Sequence, residues 1–249
     1  MFIRVISIVV LSFMLLSTAA SEEREGDYLY KVSTVRAATG SLSYLLDWIG
    51  ALNASDYFED AGEHQPLVMR HTQGDQWDLM IITPMQSWSA YFSEEAVKQR
   101  EAAFRKHAEL LAPVDKLIAF DEDTFAYGPA LPVVTAAFHN NGFFHIEMFK
   151  AAPGKTEELF EQRRMENNYL EATGQVTSMI FGRAAGSDVD VFTIGFHKSF
   201  EAFAAPASVS DDDKEVAAKE AGFKDRADLS FYLRSLISSH HDTLAVKVD

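Results

Sequence analysis

His145 and Glu147 are the first residues in this chain whose types and spacing could do chemistry. At i and i+2 of an extended segment they fall on one face. There they could form an acid–base pair or supply two ligands to a metal. A His beside a Glu on a strand is just as readily a buried, hydrogen-bonded structural pair. Phe143 and Phe149 share their face, while Phe144, Ile146 and Met148 form the other. If the all-apolar face packs under a helix, His145 and Glu147 point towards a facing sheet. The helical stretch that follows holds a second group. On a wheel of 100° per residue, Thr156, Leu159, Phe160 and Leu170 share a face, with Arg163 and Asn167 in its middle. A guanidinium there must find a carboxylate, a carbonyl or an anionic ligand, because an unpaired buried charge is strongly unfavourable. Pairing with Glu147 or Glu166 is the structural solution; anchoring the polar end of a ligand is the functional one.

His197, His240 and His241 are weaker candidates. Each could serve acid–base chemistry, but none stands in zinc-type spacing such as HxxxH or HExxH, so no metal site is assigned. The chain has no cysteine and no GxSxG, which leaves no recognisable nucleophile. Gly182-Arg183-Ala184-Ala185-Gly186 precedes a strand, not the helix that a phosphate loop requires.

The elements that must position these residues come in two diverged copies. Val35-Arg36-Ala37-Ala38-Thr39-Gly40 lies over Phe149-Lys150-Ala151-Ala152-Pro153-Gly154, and Gly74-Asp75-Gln76-Trp77-Asp78 over Gly186-Ser187-Asp188-Val189-Asp190. Ser87-Trp88 lies over Ser199-Phe200, and Phe104 to Leu110 over Phe223 to Leu229. The offset drifts only by small loop insertions, the signature of an internal repeat. In this alignment Arg163 replaces Ile49 and Asn167 matches Asn53. Each copy reads as strand, helix, hairpin, helix and strand, or βαββαβ. The predicted pieces include a helix opened by Ser41, a hairpin around Gly74, a helix from Ser93 to Leu111 and a closing strand at Asp123–Tyr127. In the second copy they are a strand at Phe143–Phe149, a helix at Lys155–Leu170 and a hairpin of Ser178–Gly182 with Asp188–Phe196. A helical stretch over Asp211–Ser239 and a strand at Thr243–Val248 complete it. Two prolines mark 129–141 as the connection, with Val133–Phe138 as an added edge strand.

Residues 1–20 read as a signal peptide: Arg4, then apolar Val5 to Leu16, then Ser17-Thr18-Ala19-Ala20 as the cleavage region. With no Cys after that region there is no lipoprotein anchor, so export to a periplasm is expected. Residues 21–27 form a charged leader, 28–128 the first repeat and 142–249 the second. The net charge of −15 argues against nucleic acid or an anionic membrane surface as partner.

The tandem βαββαβ order from Leu29 to Val248 resembles the dimeric α/β-barrel superfamily. That resemblance implies an α+β fold in which two ferredoxin-like sheets pack face to face as an intramolecular α/β barrel, helices outside. Families of that superfamily include antibiotic-biosynthesis monooxygenases and haem-binding chlorite dismutases. The leading reading is an exported protein that binds a small, largely apolar molecule with a polar end. Its pocket would lie in the second repeat, with Arg163 as anchor and Asn167, His145 and Glu147 as polar contacts. The resemblance also implies an alternative, an oxygenase-like or haem-dependent enzyme with a second-repeat histidine as acid–base group or axial ligand. A third reading is a homo-oligomeric interaction protein whose Arg163 is exposed until a second subunit covers it.

Overall fold

The computed structural model describes residues 24–248; the segment read as a signal peptide lies outside them. The strands are β1 (Tyr28–Ala37), β2 (Leu67–Gln73), β3 (Leu79–Gln86), β4 (Ile118–Gly128), β5 (Phe143–Ala151), β6 (Ser178–Gly186), β7 (Val191–His197) and β8 (Ile237–Lys247). The first half carries helices α1 (Leu42–Asn53), α2 (Tyr57–Ala61), α3 (Trp88–Tyr91), α4 (Glu94–Lys106), α5 (Ala108–Leu111) and α6 (Val114–Leu117). Helix α7 (Leu131–Asn140) connects the halves. The second half has α8 (Thr156–Ala172), α9 (Phe200–Ala204), α10 (Asp211–Glu220) and α11 (Asp228–Leu236).

Hydrogen bonds join the strands antiparallel in the order β1-β3-β2-β8-β5-β7-β6-β4, and β4 pairs back onto β1. Instead of two separate sheets face to face, the halves join edge to edge into a closed ring. Alternation along the strands then decides inside from outside. Tyr30, Met69, Met80, Phe144, Ile146, Met148, Phe181 and Phe192 fill one buried cluster inside the ring. Phe181 and Phe192 stack there at 4.7 Å. Helix α7 closes one end through Val134 and Phe138, and the Phe138 ring stacks on Phe144 at 5.4 Å. The edge strand expected at Val133–Phe138 is therefore a helix. Pro132 sits in its first turn, where its missing N–H costs nothing, and Val134 and Phe138 at i and i+4 share its buried face.

The duplication is visible in the pairing register. Val35 lies opposite Leu79 and Asp121, as Phe149 lies opposite Val191 and His240. Asp78 accepts the Ala37 N–H at 2.8 Å, as Asp190 accepts the Ala151 N–H at 2.9 Å. Ser87 and Ser199 cap α3 and α9 through Ala90 and Ala202. Beyond the expected Asp123, β4 begins at Ile118, and β8 likewise begins at Ile237 and not at Thr243. Ser239, His240, His241 and Asp242 are thus strand residues, paired with β5.

The two seams between the halves match as well. The β2–β8 register slips between His71 and Gln73, and the β4–β6 register slips at the corresponding place. Gly74 (φ 123°) and Gly186 (φ 100°) end these seams. A Cβ on Gly74 would stand 2.1 Å from the Asp242 carbonyl oxygen, and one on Gly186 2.2 Å from that of Asp123. Both the positive φ and the contact require glycine. Gly186→Ala should lower unfolding stability by about 1–3 kcal/mol, read from urea melts, while Gly154→Ala, strained at φ 75° but with no atom in the way, should cost less. Equal losses would mean that the seam tolerates a Cβ.

Candidate functional site

Helix α8 packs its apolar positions onto the outer face of the second-half strands: Leu159 and Phe160 lie with Phe149, Ile180 and Val191. Since Phe144, Ile146 and Met148 fill the barrel, His145 and Glu147 face outwards beneath this helix, not towards an opposing sheet. The sequence expectation had the two faces of β5 reversed, because both are apolar enough to be buried.

Arg163 stands on α8 above Glu147, and its side chain is only 2% exposed. Its Nε donates to the Gln162 Oε1 at 2.7 Å, its Nη1 to the Glu147 Oε2 at 3.4 Å, and its Nη2 to Glu166. The guanidinium also lies 4.7 Å above the Phe149 ring. Arg163 is therefore held by protein groups and does not reach a ligand space as the expected anchor; it is the counter-ion of two carboxylates. It is buried within the single chain, so it does not wait for a second subunit. Asn167 is spent too. Its amide donates to the Ser178 carbonyl and accepts the Ser178 N–H, both at 2.8 Å, pinning the start of β6 to α8. In the first half Pro66 stands where Ser178 does and has no N–H to give, and the matching Asn53 Oδ1 is left buried without a partner.

Beside the Arg163 network opens a cleft of about 380 Å³, with His145, Glu147, Glu166, Ser178, His197 and Phe203 in its lining. Strands β5 and β7 give the floor, α8 one wall, and α9 with the loop after it the other. The His145 and His197 rings lie 5.1 and 5.2 Å from the Phe203 ring. His197 Nδ1 is buried without a hydrogen-bond partner. Burial, and then the neighbouring His145, lower the His197 pKa, so its imidazole is neutral near pH 7. Burial raises the Glu166 pKa; Arg163 opposes the rise and Glu147 adds to it. Glu147 Oε2 also accepts from the Thr193 hydroxyl at 3.0 Å.

The other two histidines separate. As neighbours within β8 they point to opposite faces. His240 stacks on Phe149 at 6.1 Å, with its Nε2 3.3 Å from Asp242 Oδ2. His241 lies 3.4 Å from Asp75 at the open mouth of the barrel, away from the cleft.

Sequence reasoning named Glu166 only as a partner for Arg163 and Phe203 only as an apolar residue. The duplication held a stronger signal. The first half has Lys31, Ser33, Ile49, Leu52, Ile81 and Met85 where the second has His145, Glu147, Arg163, Glu166, Thr193 and His197. The helix–sheet interface is mostly apolar in the first copy and polar in the second.

No protein-family model and no curated protein sequence matches the chain. Solved structures do. An anthrone oxidase-like protein shares 12% identity at a TM-score of 0.54, covering 90% of this chain and 93% of its own. A candidate monooxygenase from Fusobacterium nucleatum shares 9% at 0.51, covering 90% and 94%. A mutant chlorite dismutase from Candidatus Nitrospira defluvii, in complex with cyanide, shares 12% at 0.48, covering 90% and 91%. The chain shares the fold of the first two of these structures.

Removing the counter-ion should expose the cost of the buried carboxylates. Arg163→Leu is expected to lose about 3 kcal/mol at pH 7 in urea unfolding, even though it restores the first half's apolar pattern. Unchanged stability would show that the pairing is not structural. A second expectation concerns Glu166. Because its folded pKa is raised, the stabilisation it brings is complete below the unfolded value of about 4.3 and is lost as pH rises through the folded one. Glu166→Gln should flatten that part of the wild-type melting-temperature profile; an unaltered profile would place the titration elsewhere.

Proposed function

We propose that this chain is an exported, oxygenase-like enzyme that takes a small, largely aromatic molecule with a polar end into the second-repeat cleft. The first repeat, residues 28–128, serves as scaffold, and residues 142–249 carry the site. The observation that carries the reading is the convergence of Glu166 and His197 on one cleft, on positions where the first repeat has Leu52 and Met85. One group is biased towards its protonated form and the other towards its neutral form, an acid on the α8 wall and a base on the floor. Phe203, Leu170 and Val176 give the cleft apolar surface for a ring. In this arrangement His197 accepts a proton from an acidic C–H or phenolic O–H, and Glu166 donates to the oxygen on which charge develops. The Arg163 and Gln162 bonds to Glu166 both fall on Oε2, which leaves Oε1 to carry that proton.

Haem does not fit this site. The cleft that His145 and His197 reach is also lined by the carboxylates of Glu147 and Glu166, which would repel an anionic macrocycle. Among the described residues no helix is long and apolar enough to cross a membrane. Export rests on Arg4, the apolar run after it and the small residues to Ala20; a homo-oligomer is compatible with this reading and not required by it.

The similarity to an anthrone oxidase-like protein suggests a probe. Oxygen uptake with anthrone and related hydroxyaromatic ketones should be measurable. Glu166→Gln and His197→Ala should each lower it by about 100-fold or more. Failure of every such compound to bind at millimolar concentration in ligand-observed NMR sinks the reading.

A further inference from the structure

The internal repeat supplies a control for a second feature of the same strands. In the first half Lys31 and Asp123 form an ion pair at 3.5 Å, and Ser33 donates to the same carboxylate. One cation meets one anion. In the second half Asp242 takes the place of Asp123, but His145 replaces the lysine and Glu147 the serine. The second half thus has an imidazole where the first has a fixed cation, and one more carboxylate. Glu147 and Asp242 lie directly opposite each other across β5 and β8, where like charges destabilise a sheet. Arg163 offsets Glu147 only in part, because it is shared with Glu166.

We propose that His145, Glu147 and Asp242 form a binding site for a divalent cation of the Zn²⁺ or Mn²⁺ kind, held on the outer face of β5 and β8. Donor atoms of the three lie within 4.8 Å of one another. A shift of roughly half an ångström in each brings them to the ~2.0–2.2 Å of nitrogen and oxygen ligands. One imidazole with two carboxylates suits borderline first-row ions.

The surrounding hydrogen bonds have the form that such a site needs. The Arg163 and Thr193 bonds to Glu147 both fall on Oε2, which leaves Oε1 to bind. Asp242 is held the same way. The Arg234 Nη1 donates to His240 Nδ1 at 3.3 Å, which fixes the tautomer so that His240 Nε2 donates to Asp242 Oδ2. Asp242 Oδ1 is left 4.0 Å from His145 Nε2. Each carboxylate thus has one oxygen held by the protein while the other makes no such bond, as outer-shell groups orient metal ligands. His145 and Glu147 also line the cleft, so the remaining coordination positions open onto it. The inference does not rest on the enzyme reading, since binding is measured without a substrate.

The test is calorimetric titration of chelator-treated, full-length mature protein with Zn²⁺ and, separately, Mn²⁺. Wild type should bind one equivalent of at least one of the two. His145→Ala and Asp242→Asn should each weaken binding by at least ~10-fold, and Thr193→Val, which removes one of the two bonds to Glu147 Oε2, by about 10-fold. Asp242 is 55% exposed, so its substitution does not threaten the fold. His241→Ala, on the other face of β8, should bind as wild type does. Absence of stoichiometric binding in the wild type overturns the proposal, as does binding that survives His145→Ala or that His241→Ala removes. Glu166→Gln separates the two readings: the metal site keeps its affinity in that variant, whereas turnover in the cleft does not survive it.

Discussion

The structure depends on the close passage of two glycines over the strands of the opposite repeat. Gly74 lies against Asp242 and Thr243, and Gly186 against Asp123 and Thr124. Only there do the halves join edge to edge, and only that joining removes the exposed sheet edges that each half would present alone. With the ring closed, every strand gains an inside and an outside. The inside fills with Phe144, Phe181, Phe192 and the methionines. The outside is left to the helices.

This division explains where chemistry can sit. The interior is densely packed with aromatic and aliphatic side chains and closed at one end by Phe138. A carboxylate among those side chains would have no water and no counter-ion, and Asp75 meets His241 only at the open mouth. On the outer face beneath α8 a charged group keeps partial contact with solvent and can be met by a cation from the helix, which Arg163 provides. Duplication supplied two such helix–sheet layers. The first is mostly apolar, with Ile49 and Leu52 buried. The second has Arg163, Glu166 and Thr193 at the matching positions, an arrangement that weakens a layer unless the polar groups satisfy one another.

Much of the fold was legible because the repeat could be read directly. The alignment of Asp78 with Asp190 and of Gly74 with Gly186 returns as matching hydrogen bonds and seams. What failed had local causes. Val133–Phe138 looked β-branched and short, yet the spacing of Val134 and Phe138 with Pro132 ahead of them is helical. Nothing in Ile237-Ser238-Ser239 breaks a helix, yet pairing with Ala151 and Lys150 makes it a strand. That shift set His240 and His241 on opposite faces. The orientation of β5 was beyond sequence altogether, since Phe143 and Phe149 make the polar face nearly as apolar as the other.

The site was half legible for a related reason. Arg163 announced itself as a charge on an apolar face, and its partners were within predicted reach. The meaning of Glu147 depended on a neighbour that sequence distance hides, because Asp242 meets it only through β8 pairing. A pattern along one strand can show that two residues share a face, but the third member of a cluster comes from the next strand. In a duplicated chain that limit can be lowered. Once Lys31 and Asp123 are known to pair across β1 and β4, the aligned His145 and Asp242 must lie across β5 and β8. The change from lysine to histidine then reads as a change from closing a charge pair to leaving a carboxylate available.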